Sequence, residues 1–470
     1  MSDKPDISEI ATALARWIAA AAGRELPDDV ESKARQHLLD TAAAMMSGSQ
    51  LKAGRLAADY VSRFAGAPKA RIAGTGLRGS AIDAAFANAM SAHADETDDS
   101  HLAGRFHPGC AIVPAALAVA EAEDRSGTKL LRAIVLGYDI GARATLALGY
   151  ARPDTARHST HSLGAAFGAA AAAAALFRLD ERQCRHALSY AVQQASGVPY
   201  WQRDREHVEK AFDFGGMGAR NGVTAAAMVA SGFSAVEDPF SGRHNYLTAF
   251  AEQARPEALT DSLGERFEIL RASIKKWCVG SPIQAALDSA YALRTAHRFA
   301  PPEIAEIRIH IPDNRLHIVD NRQMPDVCLQ HLVAVLLLDG ALGFRSAHDQ
   351  ARMSDPAVRA LRSRIKAVPS AELTAAVPER QAIVEIDLTD GRRLSHRTHA
   401  VRGTPDNPMD PDEVDSKALD LIAPVAGLDR AQAILRMVRD IGAARARDLA
   451  DLLALDGAHP SERGTSHHGR

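Results

Sequence analysis

Cysteine is scarce in this chain: 470 residues contain four, Cys110, Cys184, Cys278 and Cys328, with no CxxC pair among them. That spacing argues against a disulfide scaffold and suits free thiols in a reducing compartment. Neither sign of charge dominates, since 55 basic residues face 58 acidic ones for a formal net charge of −3. A nucleic-acid partner is therefore not expected. Aromatic residues make up only 5%, and the abundant alanine favours close-packed helices. The longest apolar run, Leu163 to Phe177, is mostly alanine and short for a bilayer span. The opening stretch MSDKPDISEIATALARWIAAAAG lacks the basic start and long apolar core of a signal peptide. The expectation is a soluble, cytoplasmic protein with no membrane partner.

What the chain does have is enough apolar sequence, 46%, for a large core and two domains. Up to about residue 235 the pattern is helical. In LPDDVESKARQHLLDTAAAMMSG, Pro27 and Asp28–Asp29 supply a start, Val30, Ala34, Leu38, Ala42 and Met45/Met46 form one face, and Gly48 supplies a stop. The run GAAFGAAAAAAALF has so little side-chain volume that it belongs at the centre, with other backbones against it. After about residue 265 the pattern changes. Ile307, Ile309 and Ile311 alternate in IAEIRIHIP, and QAIVEIDLTDGRRLSHRTH reads as strand, Asp390–Gly391 turn, strand. The fold class expected is mainly α with an α+β part. Residues 1–267 and 403–458 form the helical domain, 268–402 the smaller α+β domain that interrupts it, and 459–470 a polar, disordered tail.

The chemistry-bearing residues fall in a few stretches. HADETDDSHLAGRFHPG, residues 93–109, packs seven imidazoles and carboxylates into seventeen positions. ARHSTHSLG carries His158 and His161, and HVEKAFDFGGMGARNG carries Lys210 before a glycine-rich turn and Arg220. IKKWCVGSPIQAALD carries Lys275 and Lys276, and His331 sits in an apolar helix. Imidazoles suit proton transfer and lysines suit carboxylate binding. Removing a proton beside a carboxylate needs a base and a cation, and loss of water from the next carbon needs an acid. Bland readings stand beside these: histidines of an acidic surface loop, a solvated lysine pair, a core imidazole at 331 bonded to backbone. His93/Asp95 or Asp99/His101 could offer metal ligands, but neither HExxH nor a zinc-type Cys/His spacing is present.

Taken together and in order, these motifs resemble the 2-methylcitrate dehydratase (MmgE/PrpD) family, which also includes cis-aconitate decarboxylase and iminodisuccinate epimerase. HADETDDSHLAGRFHPG is similar to the family's HALDYDDTH…HPG segment, and the likeness continues through GYDIGAR, HSTHSLGAAFGAAAAAA, EKAFDFGGMGARNG, IKKWCVGSPIQAALD, LLLDG and RGTPDNPMDPDEV. The resemblance implies a large all-helical domain, a smaller α+β lid domain, a homodimer and a cofactor-free, metal-free site in the cleft between them. It makes His107 and His158 the proton-transfer pair. Lys210 and Lys275 bind the carboxylates of a small di- or tricarboxylate or hydroxy acid, while Glu96, Asp99 and Ser100 orient the pair or the substrate. Three positions depart from the pattern. Glu96 stands for an aspartate, Gly280 for a histidine of the decarboxylase type, and His331 for a tyrosine on the lid side. The activity implied is that of a dehydratase or decarboxylase, the alternatives being a racemase or epimerase and a non-catalytic metabolite-binding relative.

Overall fold

A computed structural model describes residues 7–150 and 157–455; the expected tail at 459–470 lies outside them. The chain divides into two compact units. One comprises Met1–Ala94, Asp98–Ala272 and Asp415–Arg470, the other Asp95–Thr97 and Ser273–Val414. The fold is mainly α with an α+β part.

The first unit is built around the alanine-rich helix Thr160–Phe177, which packs most extensively on helices Gly127–Leu146 and Met217–Ala230. Alanine has the best intrinsic helix propensity and no side chain to hold neighbours apart, so backbones meet along its whole length. Arg178, in left-handed conformation at φ 59°, closes the helix. Its 18 residues have the length and apolarity of a bilayer span, and 89% of them are buried inside the protein. This is a core helix, lengthened beyond the apolar run by Thr160, His161 and Ser162.

Helix Asp28–Gly48 begins where Pro27 and the two aspartates predict, and Val30, Ala34, Leu38, Ala42, Met45 and Met46 are all buried. Gly48 is the last residue of the helix, where the stop was expected, with Ser49 as the cap. It has a second use: a Cβ at Gly48 would lie 1.8 Å from the carbonyl oxygen of Ser91, so the glycine also permits a close crossing of two helices. His37, Asp40 and Thr41 are also buried on this helix, a polar interior that its apolar stripe does not announce.

The second unit holds a four-stranded mixed sheet. Ile304–Pro312 pairs in parallel with Ile365–Ser370 and antiparallel with Ala382–Leu388, which pairs antiparallel with Arg393–Thr398. Ile307, Ile309 and Ile311 point into a core shared with helices Gln284–Ala296 and Leu329–Asp339, as alternation predicts. On the other face Arg308 bridges Glu306, Glu385 and Asp387. Gly391, at φ 88°, makes the hairpin turn where the Asp390–Gly391 pair places it.

Candidate functional site

The segment rich in acids and histidines leaves helix Ala81–Ala92 at His93 and enters helix Gly109–Ala122 through Pro108. Within it Asp98 is wholly buried and shared by two imidazoles. His93 Nδ1 lies 2.9 Å from Oδ1 and His107 Nδ1 3.0 Å from Oδ2. A carboxylate on Nδ1 fixes the tautomer and the ring orientation, and it stabilises an imidazolium when one forms. In His107 it is Nδ1 that Asp98 engages, not Nε2.

The second centre of the site is Phe214. It sits in a wide π-type turn, Phe212–Gly216, that joins Glu209–Ala211 to helix Met217–Ala230; such turns recur at functional sites. The His161 ring stacks on it at 3.6 Å between centroids, and His93 stacks at 4.4 Å. His107 and Trp201 each approach edge-on at 5.1 Å. Lys210 Nζ is 5.1 Å from the same ring and 5.0 Å from that of Trp201, within reach of both aromatic faces. His107 and His161 face each other with centroids 5.5 Å apart.

His161 keeps some exposed surface, but its Nδ1 is covered and has no hydrogen-bond partner among the described residues. Burial, then the neighbouring His107, His93 and Lys210, hold it well below the usual imidazole range. It is a neutral imidazole at neutral pH. Beside it, burial raises the Asp213 carboxyl to about 6, although Ser159 Oγ donates to it at 2.5 Å.

Asp99, next in the chain to Asp98, has a different environment. His37 Nδ1 lies 2.7 Å from it, and it accepts bonds from Tyr138 Oη at 2.5 Å and the Gly109 amide at 2.8 Å. Burial alone would raise its pKa, but the bonds from His37 and Tyr138 hold it below the ordinary range. A Cβ at Gly109 would lie 2.8 Å from Asp99 Oδ1, so only glycine lets this carboxylate reach the helix amide. Asp99 thus fastens the start of the helix that follows His107. Ser100 is buried beside it, and His101 accepts from the Gly104 amide through Nδ1 and donates through Nε2 to Glu268 at 3.0 Å. His158 is partly buried with its ring against Phe250, centroids 4.9 Å apart. The structure brings His107, His161 and Lys210 around Phe214. Phe214 and Trp201 stand outside the sequence-derived set; FDFGG after Lys210 was the signal for Phe214, and Trp201 had none.

The second unit holds the remaining candidates. Lys275 is buried and donates from Nζ to the Glu96 carbonyl at 2.7 Å, with the Glu96 carboxylate 3.7 Å away. On the same loop, Asp95 pairs with His348 Nε2 at 2.9 Å while His348 Nδ1 meets the Phe344 carbonyl at 2.7 Å. With both nitrogens acting as donors, His348 is an imidazolium. Burial opposes that charge, but Asp95 and Asp326 raise its pKa to about 9. His331 is the opposite case. It is fully buried in helix Leu329–Asp339, neither ring nitrogen has a partner among the described residues, and burial followed by Arg362 and Arg352 lowers it to about 4. Gly280 has room: a Cβ there would meet nothing closer than 3.6 Å.

One set of possible metal ligands lies within the first unit. His93, Asp98 and Cys110 bring ligand atoms within 4.8 Å of one another. Asp98 is already engaged by two histidines, and Cys110 Sγ donates to the carbonyls of His107 and Phe214 at 3.2 and 3.5 Å. A metal there would have to displace these bonds and deprotonate a buried thiol.

Residues 12–259 match the MmgE/PrpD N-terminal domain and residues 277–442 the MmgE/PrpD C-terminal domain. The chain belongs to the MmgE/PrpD family. It is similar to the cis-aconitate decarboxylase-like protein oryM of Aspergillus oryzae, 26% identical across 97% of this chain and 98% of the relative. It is also similar to the cis-aconitate decarboxylase of Homo sapiens, 24% identical over 88% of each chain. The cis-aconitate decarboxylase of Aspergillus terreus is 26% identical over 49% of this chain and 47% of its own.

Proposed function

We propose that this protein is a lyase that works without a cofactor on a small di- or tricarboxylate or hydroxy acid, by dehydration or decarboxylation. The observation that carries the reading is the pair His107 and His161, 5.5 Å apart over one aromatic ring with Lys210 above it. Their environments differ in the way acid and base must differ. Asp98 on Nδ1 favours the charged form of His107, whereas burial and nearby cations favour neutral His161. In dehydration, His161 takes the proton beside a carboxylate and Lys210 holds the enolate-like charge. His107 then gives its proton to the departing hydroxyl. In decarboxylation no proton is removed first: carbon dioxide leaves, and His107 protonates the resulting carbanion. The relatives support the second route, since cis-aconitate decarboxylases stand among them.

Two imidazoles over one ring also suit a racemase or epimerase, in which one takes a proton and the other returns it. Proton NMR in D2O with cis-aconitate, 2-methylcitrate and a panel of dicarboxylates separates the readings. Elimination or loss of carbon dioxide supports the lyase, and deuterium exchange without net elimination supports the epimerase. Turnover that survives dialysis against a chelator is expected. Turnover abolished by the chelator and restored by one divalent ion would make the His93–Asp98–Cys110 group a metal site.

A further inference from the structure

We propose that Asp213 is a positioning residue for His161, fastening to one another the three segments that carry His161, Phe214 and Trp201. That His161 passes a proton rests on the lyase reading; that Asp213 places it does not. All three segments belong to the helical unit. Asp213 is buried in the π-type turn Phe212–Gly216, one residue before Phe214. Its Oδ2 accepts from Ser159 Oγ at 2.5 Å. Ser159 caps helix Thr160–Phe177 two positions before His161, yet its side chain makes no capping bond to that helix. A capping hydroxyl ordinarily accepts from an amide of the first turn. Here it donates to Asp213 instead, and so joins the start of the His161 helix to the turn that carries Phe214.

The third segment is the loop of residues 194–201. The Ser159 amide donates to the Gly197 carbonyl at 3.1 Å, and Ser162 Oγ donates to the Ser196 carbonyl. Gly197 has φ 111°, and a Cβ there would lie 2.2 Å from Ser162 Oγ and 2.7 Å from Asp213 Oδ1. Only glycine lets this loop close on the carboxylate. Four residues on, the Trp201 ring meets both His161 and Phe214 edge-on. One oxygen of Asp213 therefore serves the helix start while the other lies against the loop. The charged groups acting on Asp213 are His93, which attracts its charge, and Glu209, which repels it, with the Tyr200 hydroxyl on the loop side. Burial raises the carboxyl to about 6 despite the bond from Ser159. Its ionisation can thus change close to neutrality, and with it the strength of the fastening.

The test uses the full-length protein, isotopically labelled at histidine Cε1. The His161 resonance, identified by its absence from His161→Gln, carries the ring-current shift of Phe214, stacked on it at 3.6 Å. It should move in Asp213→Ala and in Ser159→Ala, while that of His348, in the other unit, stays in place. As the pH falls through about 6 it should move in the wild type and not in Asp213→Asn, since protonation of His161 itself is displaced well below the imidazole range. On any carboxylate that the wild type turns over, Asp213→Ala should lower kcat by about 10- to 100-fold, the scale of a misplacement of about 1 Å, with KM changed little. The kcat ratio of wild type to Asp213→Asn should exceed one at neutrality and approach one below pH 6, because the neutral amide stands in for the protonated acid. Titrations common to both proteins cancel in that ratio. If Asp213→Ala does not fold, Ser159→Ala and Asp213→Asn decide. A His161 resonance unmoved in the folded variants, or a kcat ratio constant with pH, overturns the positioning role and leaves the lyase reading standing. A His161 resonance that follows Asp213 in a protein that turns over no carboxylate overturns the lyase reading alone.

Discussion

The helical unit and the α+β unit use the same side chain in opposite ways. In the helical unit His93 and His107 share the Asp98 carboxylate, and His161 is held neutral against Phe214 by burial and neighbouring cations. In the α+β unit one histidine, His348, is locked as an imidazolium by Asp95, and another, His331, is buried with no hydrogen-bond partner among the described residues. The residue type alone predicts none of this. What decides it is whether a carboxylate arrives from elsewhere in the fold to compensate for desolvation. The helical unit concentrates groups able to pass a proton, whereas the α+β unit concentrates charges that hold the loop of Asp95 and Glu96.

The largest effect expected is at the proton-transfer pair. His107→Ala should lower kcat/KM by about 10²–10⁴-fold on whichever carboxylate the wild type turns over, with the fold intact. His161→Ala should fall in the same range, and His158→Ala should fall far less. Loss in His158→Ala with normal turnover in His161→Ala would transfer the second role to the residue that matches the family motif.

Lys210→Ala comes next. Losing a charged hydrogen bond to a substrate carboxylate costs about 1.5–3 kcal/mol, so kcat/KM should drop by roughly 10- to 100-fold. Unchanged kinetics would mean that Lys210 only covers the Trp201 and Phe214 rings.

A third test measures stability in the α+β unit. The His348 pKa is about 9 in the folded chain against about 6.5 unfolded. Its contribution is therefore complete below about pH 6.5 and disappears as pH rises through 9. Asp95 is held below its ordinary range: burial would raise it, but His348 and then Thr97 outweigh that. Its contribution is lost only as pH falls through the acid range. His348→Gln should lower stability at pH 6 by on the order of 2–3 kcal/mol. Thermal denaturation curves of variant and wild type should converge near pH 9.5; a constant gap from pH 6 to 10 would show that the pair contributes by packing alone.

The smallest effect belongs to His331. Its folded pKa of about 4 lies below the unfolded value of about 6.5, so the unfolded chain takes up the proton first and stability falls between those pH values. His331→Leu should flatten this acid limb and change stability at pH 7 by less than about 1.5 kcal/mol. An unaltered acid limb would show that His331 does not titrate there. A change in the carboxylates accepted by His331→Tyr, with stability kept, would give this position a part in specificity despite its burial.

Periodicity made the fold class legible because it acts within a few residues. Ile307, Ile309 and Ile311 had to share a face of the sheet, and an alanine run with no bulk had to lie at the centre. Gly48 shows where local reading stops: a turn rule finds the helix end but not the Ser91 carbonyl, 43 positions away in the chain, for which the glycine also makes room. Asp98 and Asp99 show the same limit at the site. The two are chemically identical neighbours, yet one orients His93 and His107 while the other ties His37, Tyr138 and the Gly109 amide together.

From its sequence alone, this protein's helical and strand elements, its wealth of imidazoles and lysines and its family motifs could be read. These depend on side-chain type, short-range geometry and order along the chain. Only the tertiary structure decided which imidazoles approach His107 and that Phe214 lies against them. Proton affinity and anion affinity are set by desolvation and by charges brought from distant segments, and those distances exist only once the chain has folded.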